Sequence, residues 1–488
     1  MNLSKSRYCN AVQCVKMLWL LDNKTDLKSE IDNQSVLDNG TEVGELARDL
    51  FGQHIDIEFD KNLQNMIDNT KKVLEENKKV ILCEASFNYN DNFCSVDILK
   101  KENDDYYIYE VKSSTEVKGI YLEDVSYQTY VLKNLGLNVK KSFIIHINSK
   151  YERNGELELD KLFKINDVTD KVDKILNTIE DKILVIKNVM NSKSEPDIDI
   201  DNYCFKPYDC PYFNYCTRNL PENNIFKLRR IRNNLKIKYY KEGIYDYKDL
   251  LNENIDSKVK EQIEFELYNL KDKIDKDKIK EFLNTLSYPL YYLDFETFQD
   301  AIPKYSHEFP YEQIPFQYSL HYEEIDGELK HKEFLAKGNY DPRRELAERL
   351  VLDIPKNVCV LAYNMSFEKR VIKRLAEIYS DLSEHLMNIY SNIRDLMIPF
   401  YNHDYYSKDM DGSYSIKYVL PSLFPNDKDL DYHNLDMVHN GSEAMNAYKE
   451  LENLNDKERE ILRQNMLKYC ELDTYAMVKI YKKLKKIR

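Results

Sequence analysis

The stretch LYYLDFETF (290–298) sets two carboxylates two positions apart in an otherwise apolar run. A strand turns successive side chains to opposite faces, so Asp294 and Glu296 share one face while Leu293, Phe295 and Thr297 take the other. Two like charges side by side suit a divalent cation between them; the plainer alternative is a strand with one solvated end. Three later stretches bear on the choice. VLAYNMSFEKRVIKRL (360–375) reads as a strand, a turn at Asn364 and a helix with Glu368 in its first turn. NMLKYCELDTYAMVKIY (465–481) reads as a helix with Tyr469 and Asp473 at i and i+4, on one face. IRDLMIPFY (393–401) adds Asp395, either a further ligand or a helix N-cap. Such oxygen ligands are what two-metal phosphodiester hydrolysis needs, with Mg²⁺ or Mn²⁺ ions held roughly 3.5–4 Å apart.

This set resembles the DEDD exonucleases of the DnaQ-like, RNase H-fold group. The Asp-x-Glu of that family's first motif matches Asp294 and Glu296. Its Asn-x-x-Phe-Asp type turn matches Asn364–Glu368, with Glu in place of Asp, and its Tyr-x-x-x-Asp matches Tyr469 and Asp473. Order and spacing agree over roughly 200 residues. The resemblance implies that Asp294 bridges both ions, that Glu296 and Asp473 complete the first, and that Glu368 reaches the second through water. Tyr469 would hydrogen-bond the attacking water, and degradation would run 3′ to 5′, releasing nucleoside 5′-monophosphates.

A second group lies near the N-terminus. SVDILKKENDDYYIYEVKSS (95–114) carries Asp97, Glu110 and Lys112, which neighbouring antiparallel strands can bring to one face. A carboxylate pair with a lysine can bind one metal and orient water; the alternative is ordinary charge alternation on a hairpin's wet face. YCFKPYDCPYFNYC (203–216) then spaces Cys204, Cys210 and Cys216 at six-residue steps, with Cys14 far upstream. Together these resemble the iron–sulfur RecB-like PD-(D/E)xK nucleases. The resemblance implies a [4Fe–4S] cluster on Cys14, Cys204, Cys210 and Cys216. It also implies a nuclease site of Asp97, Glu110 and Lys112, with Asp97 and Glu110 as metal ligands and Gln128 on the following helix.

Two positions depart from that family: Gly44–Arg48 lacks the usual histidine ligand, leaving Glu45 as a substitute, and Leu132 stands where a tyrosine is expected. Cys9 is an alternative fourth thiolate. Zinc is an alternative to the cluster, although no Cys-x₂₋₄-Cys pair occurs. Cys83, Cys94 and Cys359 read as core residues, Cys470 has no evident partner, and His146 and His321 read as structural strand histidines.

Strands expected at 78–87, 93–101, 105–114 and 140–148, with helices at 126–136 and 170–190, would carry the first site. Strands in 290–298, around PFQYSLHYEE, HKEFLA and VCVLAYN, and helices beyond Phe367 would carry the second. The expected division is 1–218 as a PD-(D/E)xK domain with its cysteine cluster, 219–286 as a helical bridging domain, and 287–488 as an RNase H-like domain, an α/β multidomain chain.

The 488 residues call for two or three cores, and 42% hydrophobic with 32% charged residues is globular. A net charge of −14 argues against coating nucleic acid by bulk electrostatics, but not against a metal-dependent enzyme acting on it. FKLRRIRNNLKIKYYK (226–241) and the tail KIYKKLKKIR (479–488) are basic, either as solvated helix faces or as phosphate contacts. KMLWLL is too short for a secretory h-region, no apolar run reaches membrane-spanning length, and the nine cysteines suit a reducing cytoplasm. What the two resemblances imply, in a chain of this composition, is a cytoplasmic nuclease acting on DNA rather than RNA, single strands foremost, in repair, processing or phage defence. The other reading is a nucleic-acid-binding or scaffold protein with degenerate sites.

Overall fold

Alternating apolar residues in the first half build a seven-stranded mixed sheet. Lys79–Tyr89, Asn92–Glu102 and Asp105–Lys112 form its antiparallel centre. Asn90 and Asp91, both at positive φ, make the two-residue turn between the first pair, a geometry that matches strand twist. Helix Gly119–Asn134 returns the chain so that Asn138–Ile147 pairs in parallel with Asp105–Lys112, and Phe163–Asp167 closes that edge. Ile55–Asp56 forms the other edge. Leu3–Ser4 pairs in parallel with the start of Asn92–Glu102, which brings Lys5 beside that strand. Leu82, Val96, Ile108 and Ile144 pack against Tyr8, Leu18, Tyr127 and Ile179 on one side. On the other, Cys83, Ile98 and Ile145 pack against Val43, Ala47, Ala301 and Ile302.

The structure is a computed structural model that describes residues 3–29, 34–325 and 327–487. The chain is an α/β protein of two compact units: Met1–Leu220 with Asp300–Tyr311, and Pro221–Gln299 with Glu312–Arg488. Helices Ser257–Tyr268 and Lys276–Leu283 contribute Phe265, Ile279, Phe282 and Leu283 to the core of the second unit.

The second unit holds a five-stranded sheet in the order Leu329–Leu335, Ile314–Glu323, Leu290–Phe298, Cys359–Ala362, Ile393–Asp395. Its first three strands are antiparallel and its last three parallel. The alternation read from LYYLDFETF holds. Tyr291, Leu293 and Phe295 pack with helices Arg343–Asp353, Ser366–Ile378 and Ser383–Asn392. Leu290 and Tyr292 pack towards the long helix Asp456–Ile487, so Asp294 and Glu296 face that helix. Among the described residues, no helix is long and apolar enough to cross a membrane.

Candidate functional site

Four carboxylates converge in the second unit, delivered by three local rules. Strand alternation aims Asp294 and Glu296. The turn at Asn364, at positive φ, ends strand Cys359–Ala362 and starts the helix whose first turn holds Glu368. The i,i+4 spacing aligns Tyr469 with Asp473. Glu296, Glu368 and Tyr469 are buried. Burial first, then Asp473, Glu296 and Glu368, push the Asp294 carboxyl well above the ordinary range. Burial and Asp473 do the same to Glu296, while Lys417 works in the opposite direction. Burial lifts Glu368 to about 8, and Asp395 adds to it. Asp473 rises only to about 6, because hydroxyls of Tyr432 and Tyr469 donate to it against the burial penalty. Glu368 Oε2 is buried and accepts no hydrogen bond.

Such a set, mutually repelling and compensated by hydroxyl donors only at Asp473, is poised for cations. The donor chemistry fits Mg²⁺ or Mn²⁺: oxygens dominate, and one ligand atom each of Asp294, Glu296 and Cys470 lie within 4.8 Å of one another. Cys470 thus gains neighbours that the sequence did not suggest. Burial and the two carboxylates hold its thiol far up, so it stays a neutral S–H and leaves the hard cation to oxygen. Asp395 is taken: its carboxylate accepts the backbone N–H groups of Asn364, Met365 and Met397, fixing the starts of two helices. A cleft of about 880 Å³, lined by Lys417, Phe424, Tyr432, His439 and Asn440 among others, meets the carboxylates at Tyr432.

The first unit brings Asp97, Glu110, Lys112 and Gln128 together as well. Lys112 Nζ lies 2.6 Å from Glu110 and 2.7 Å from Asp124, and Gln128 donates to both of those carboxylates. The place a cation would take between Asp97 and Glu110 is held by the Lys5 ammonium, 2.9 Å from Asp97 Oδ1 and 3.2 and 3.3 Å from the Glu110 oxygens. Burial would lower the Lys5 pKa, but Asp97, Glu110 and Asp124 overcome it and raise it well above normal. Asp97 Oδ2 meanwhile accepts the Val111 N–H. As arranged, these residues do not fit a resident divalent ion. Glu45, the suggested substitute ligand, is exposed, and Arg48 pairs with Asp56 and Glu84. Glu84, at positive φ, sits where the strand pairing skips a residue opposite Asp97.

The cysteines separate cleanly. Cys204 is raised to about 12 by burial and then by Cys210, Cys14 and Cys216, and Cys210 to about 11 by burial, Cys14 and Cys216. Cys14 therefore belongs with the C-terminal three. Cys9 instead feels Asp124, Lys112, Glu110 and Lys5. Gln13 donates to the carbonyls of Tyr203 and Tyr208, tying the residue before Cys14 to the cysteine loop. Cys83, Cys94 and Cys359 are buried among apolar residues, as expected.

Residues 291–415 match the family model DUF2779, a domain of unknown function. The span includes Asp294, Glu296, Glu368 and Asp395 and ends before Tyr432, Tyr469 and Asp473. No curated protein matches the chain.

Sequence reasoning missed Lys5 and Tyr432, whose partners lie far away along the chain, as well as Lys417 and Asp124, the latter one helical turn before its partner Gln128. The basic run at 226–241 proves partly internal. Arg229 bonds Tyr418 and pairs with Asp411, Arg230 stacks on Tyr401 and Tyr414, and Lys236 is buried against the Phe226 carbonyl.

Proposed function

We propose that the protein is a metal-dependent nuclease whose working centre is the RNase H-like second unit, acting as a 3′–5′ exonuclease on DNA. The observation that carries this reading is the convergence of Asp294, Glu296, Glu368 and Asp473 with Tyr469. Bound Mg²⁺ or Mn²⁺ would supply positive charge against the phosphodiester. Asp294, Glu296, Asp473 and Glu368 would hold it. Tyr432 and Tyr469 orient the Asp473 carboxylate, and exposed Lys417 offers charge to a phosphate in the adjoining cleft. The test is digestion of a 5′-labelled single strand: a descending, Mg²⁺- or Mn²⁺-dependent ladder is expected. Asp294→Ala should slow it by several orders of magnitude, since it deletes the central ligand. A ladder unchanged by Asp294→Ala would remove the second unit from the chemistry.

For the first unit the supported reading is a RecB-like PD-(D/E)xK fold with a [4Fe–4S] cluster on Cys14, Cys204, Cys210 and Cys216. What supports a shared metal centre is that Cys14, Cys204, Cys210 and Cys216 occupy one neighbourhood, the thiols of Cys204 and Cys210 being raised by burial and by the other cysteines. Anaerobically purified protein should be brown. Cys14→Ser should cost it iron and Cys9→Ser should not; colourless protein with stoichiometric zinc is the opposing result. The Lys5 ammonium between Asp97 and Glu110 favours a second reading of this unit alone, as a nucleic-acid-binding module with a silenced centre.

A further inference from the structure

The histidine pattern holds a site that the nuclease reading does not use. His321 and His331 stand directly opposite each other on strands Ile314–Glu323 and Leu329–Leu335, with ring centres 4.4 Å apart. The long C-terminal helix lays Glu471 over them, and one ligand atom from each of the three residues lies within 4.8 Å of the others. His331 Nδ1 is 3.9 Å from Glu471 Oε1.

The outer nitrogens are already engaged. His321 Nδ1 is 2.8 Å from Thr474 Oγ1, and His331 Nε2 is 2.9 Å from Ser319 Oγ. The two hydroxyls are 2.6 Å apart, and Thr474 Oγ1 is 3.1 Å from the Glu471 carbonyl. One proton order satisfies all four contacts. Each ring N–H donates to its hydroxyl, Ser319 donates to Thr474, and Thr474 donates to the Glu471 carbonyl. That order leaves lone pairs on His321 Nε2 and on His331 Nδ1, the latter 3.9 Å from the Glu471 carboxylate. It is the arrangement in which second partners fix the tautomer of ligating histidines.

We propose that His321, His331 and Glu471 form a transition-metal site of the His₂–carboxylate class, taking Zn²⁺ and fastening the C-terminal helix to the sheet. Imidazole nitrogens favour zinc over magnesium, so the site is chemically distinct from the oxygen-lined centre. Zn–N bonds of ~2.0 Å put tetrahedral ligands about 3.3 Å apart, so the cage closes by about 1.5 Å at most. His331 and Glu471 are partly open to solvent, which leaves room for a water ligand. Glu471 lies between Tyr469 and Asp473, so zinc would also fix the axial position of the helix that carries them.

The experiment is equilibrium dialysis of full-length protein against Zn²⁺ alone, with excess Mg²⁺ present to occupy the carboxylate centre. Wild type is compared with His331→Gln and Glu471→Gln, all bearing the same cysteines. The wild type should bind one more tight zinc per chain than either variant, and each variant should lose the rise in melting temperature that this zinc gives the wild type. Ser319→Ala should keep the stoichiometry and weaken the affinity about 10- to 100-fold. Equal tight-zinc stoichiometry in wild type and both variants would overturn the proposal, whatever the nuclease assays show.

Discussion

Asp473 and Glu368 differ in how much of their charge the protein itself accommodates, and that difference sets a pH dependence. Two tyrosine hydroxyls hold Asp473 to about 6, whereas Glu368, with an unbonded buried oxygen, rises to about 8. Their ordinary values are 3.8 and 4.5. Between those limits the metal-free native state keeps protons that the unfolded chain has released. Its stability from these groups is therefore intact below about pH 4 and declines as pH rises towards about 8. A divalent cation needs the same groups ionised, so its affinity should climb across about pH 6 to 8 with protons released on binding. Calorimetric titration of Mn²⁺ at pH 6, 7 and 8 in buffers of different ionisation enthalpy reads both quantities. An affinity flat across that range, without proton release, would mean that these carboxylates do not hold the metal.

Single elements were the most legible feature of the sequence, and the meetings between them the least. Period-two alternation placed Asp294 and Glu296 on one face, and i,i+4 spacing paired Tyr469 with Asp473, because both rules act within a few residues. Lys5 reaches Asp97 across 92 positions and Tyr432 reaches Asp473 across 41, and no local period encodes such contacts. His321 read as an isolated strand histidine for the same reason: its partners arrive by strand register and by a helix that follows much later. The separation of Cys9 from Cys14 also needed the fold, because Cys9 lies within helix Lys5–Gln13 while Cys14 is the extended residue at the break before helix Val15–Asn23. Lys5 yields a prediction of its own. It begins helix Lys5–Gln13 straight after strand Leu3–Ser4, so its ammonium is pinned between the two carboxylates by backbone on both sides. Removing it should free Asp97 and Glu110 for a divalent ion. In an Asp294→Ala background, Lys5→Ala should bind about one additional Mn²⁺ per chain, counted by paramagnetic resonance of the free ion. No gain in bound Mn²⁺ would show that the lysine is not what closes this centre.

At the scale of the whole molecule, the chain does not divide where its motifs do. After strand Leu290–Phe298 has delivered Asp294 and Glu296, residues Asp300–Tyr311 belong to the first unit before the chain re-enters the second. Ala301 and Ile302 join Val43, Cys83 and Ile145 in a core of that first unit. Arg153 and Glu308 pair as a β-bridge, Arg153 also donates to the Pro303 and Lys304 carbonyls, and Tyr311 donates to the Ser113 carbonyl. Ser113 follows Lys112 directly, so this insertion braces the end of the strand that carries Glu110 and Lys112. A fragment ending at residue 220 loses all of these. The burial of Ile302 alone is worth about 1.5–3 kcal/mol, and the Arg153 side chain is left with carbonyl partners missing. Residues 1–220 produced alone should therefore melt lower than the same fragment carrying 300–311 on a flexible linker, and should be cut sooner by protease. The linked segment closes its loop at only a slowly growing entropic cost, so the rescue should tolerate linkers of several lengths. Matching melting curves for the two fragments would mean that the insertion merely rests on the first unit and contributes nothing to its fold.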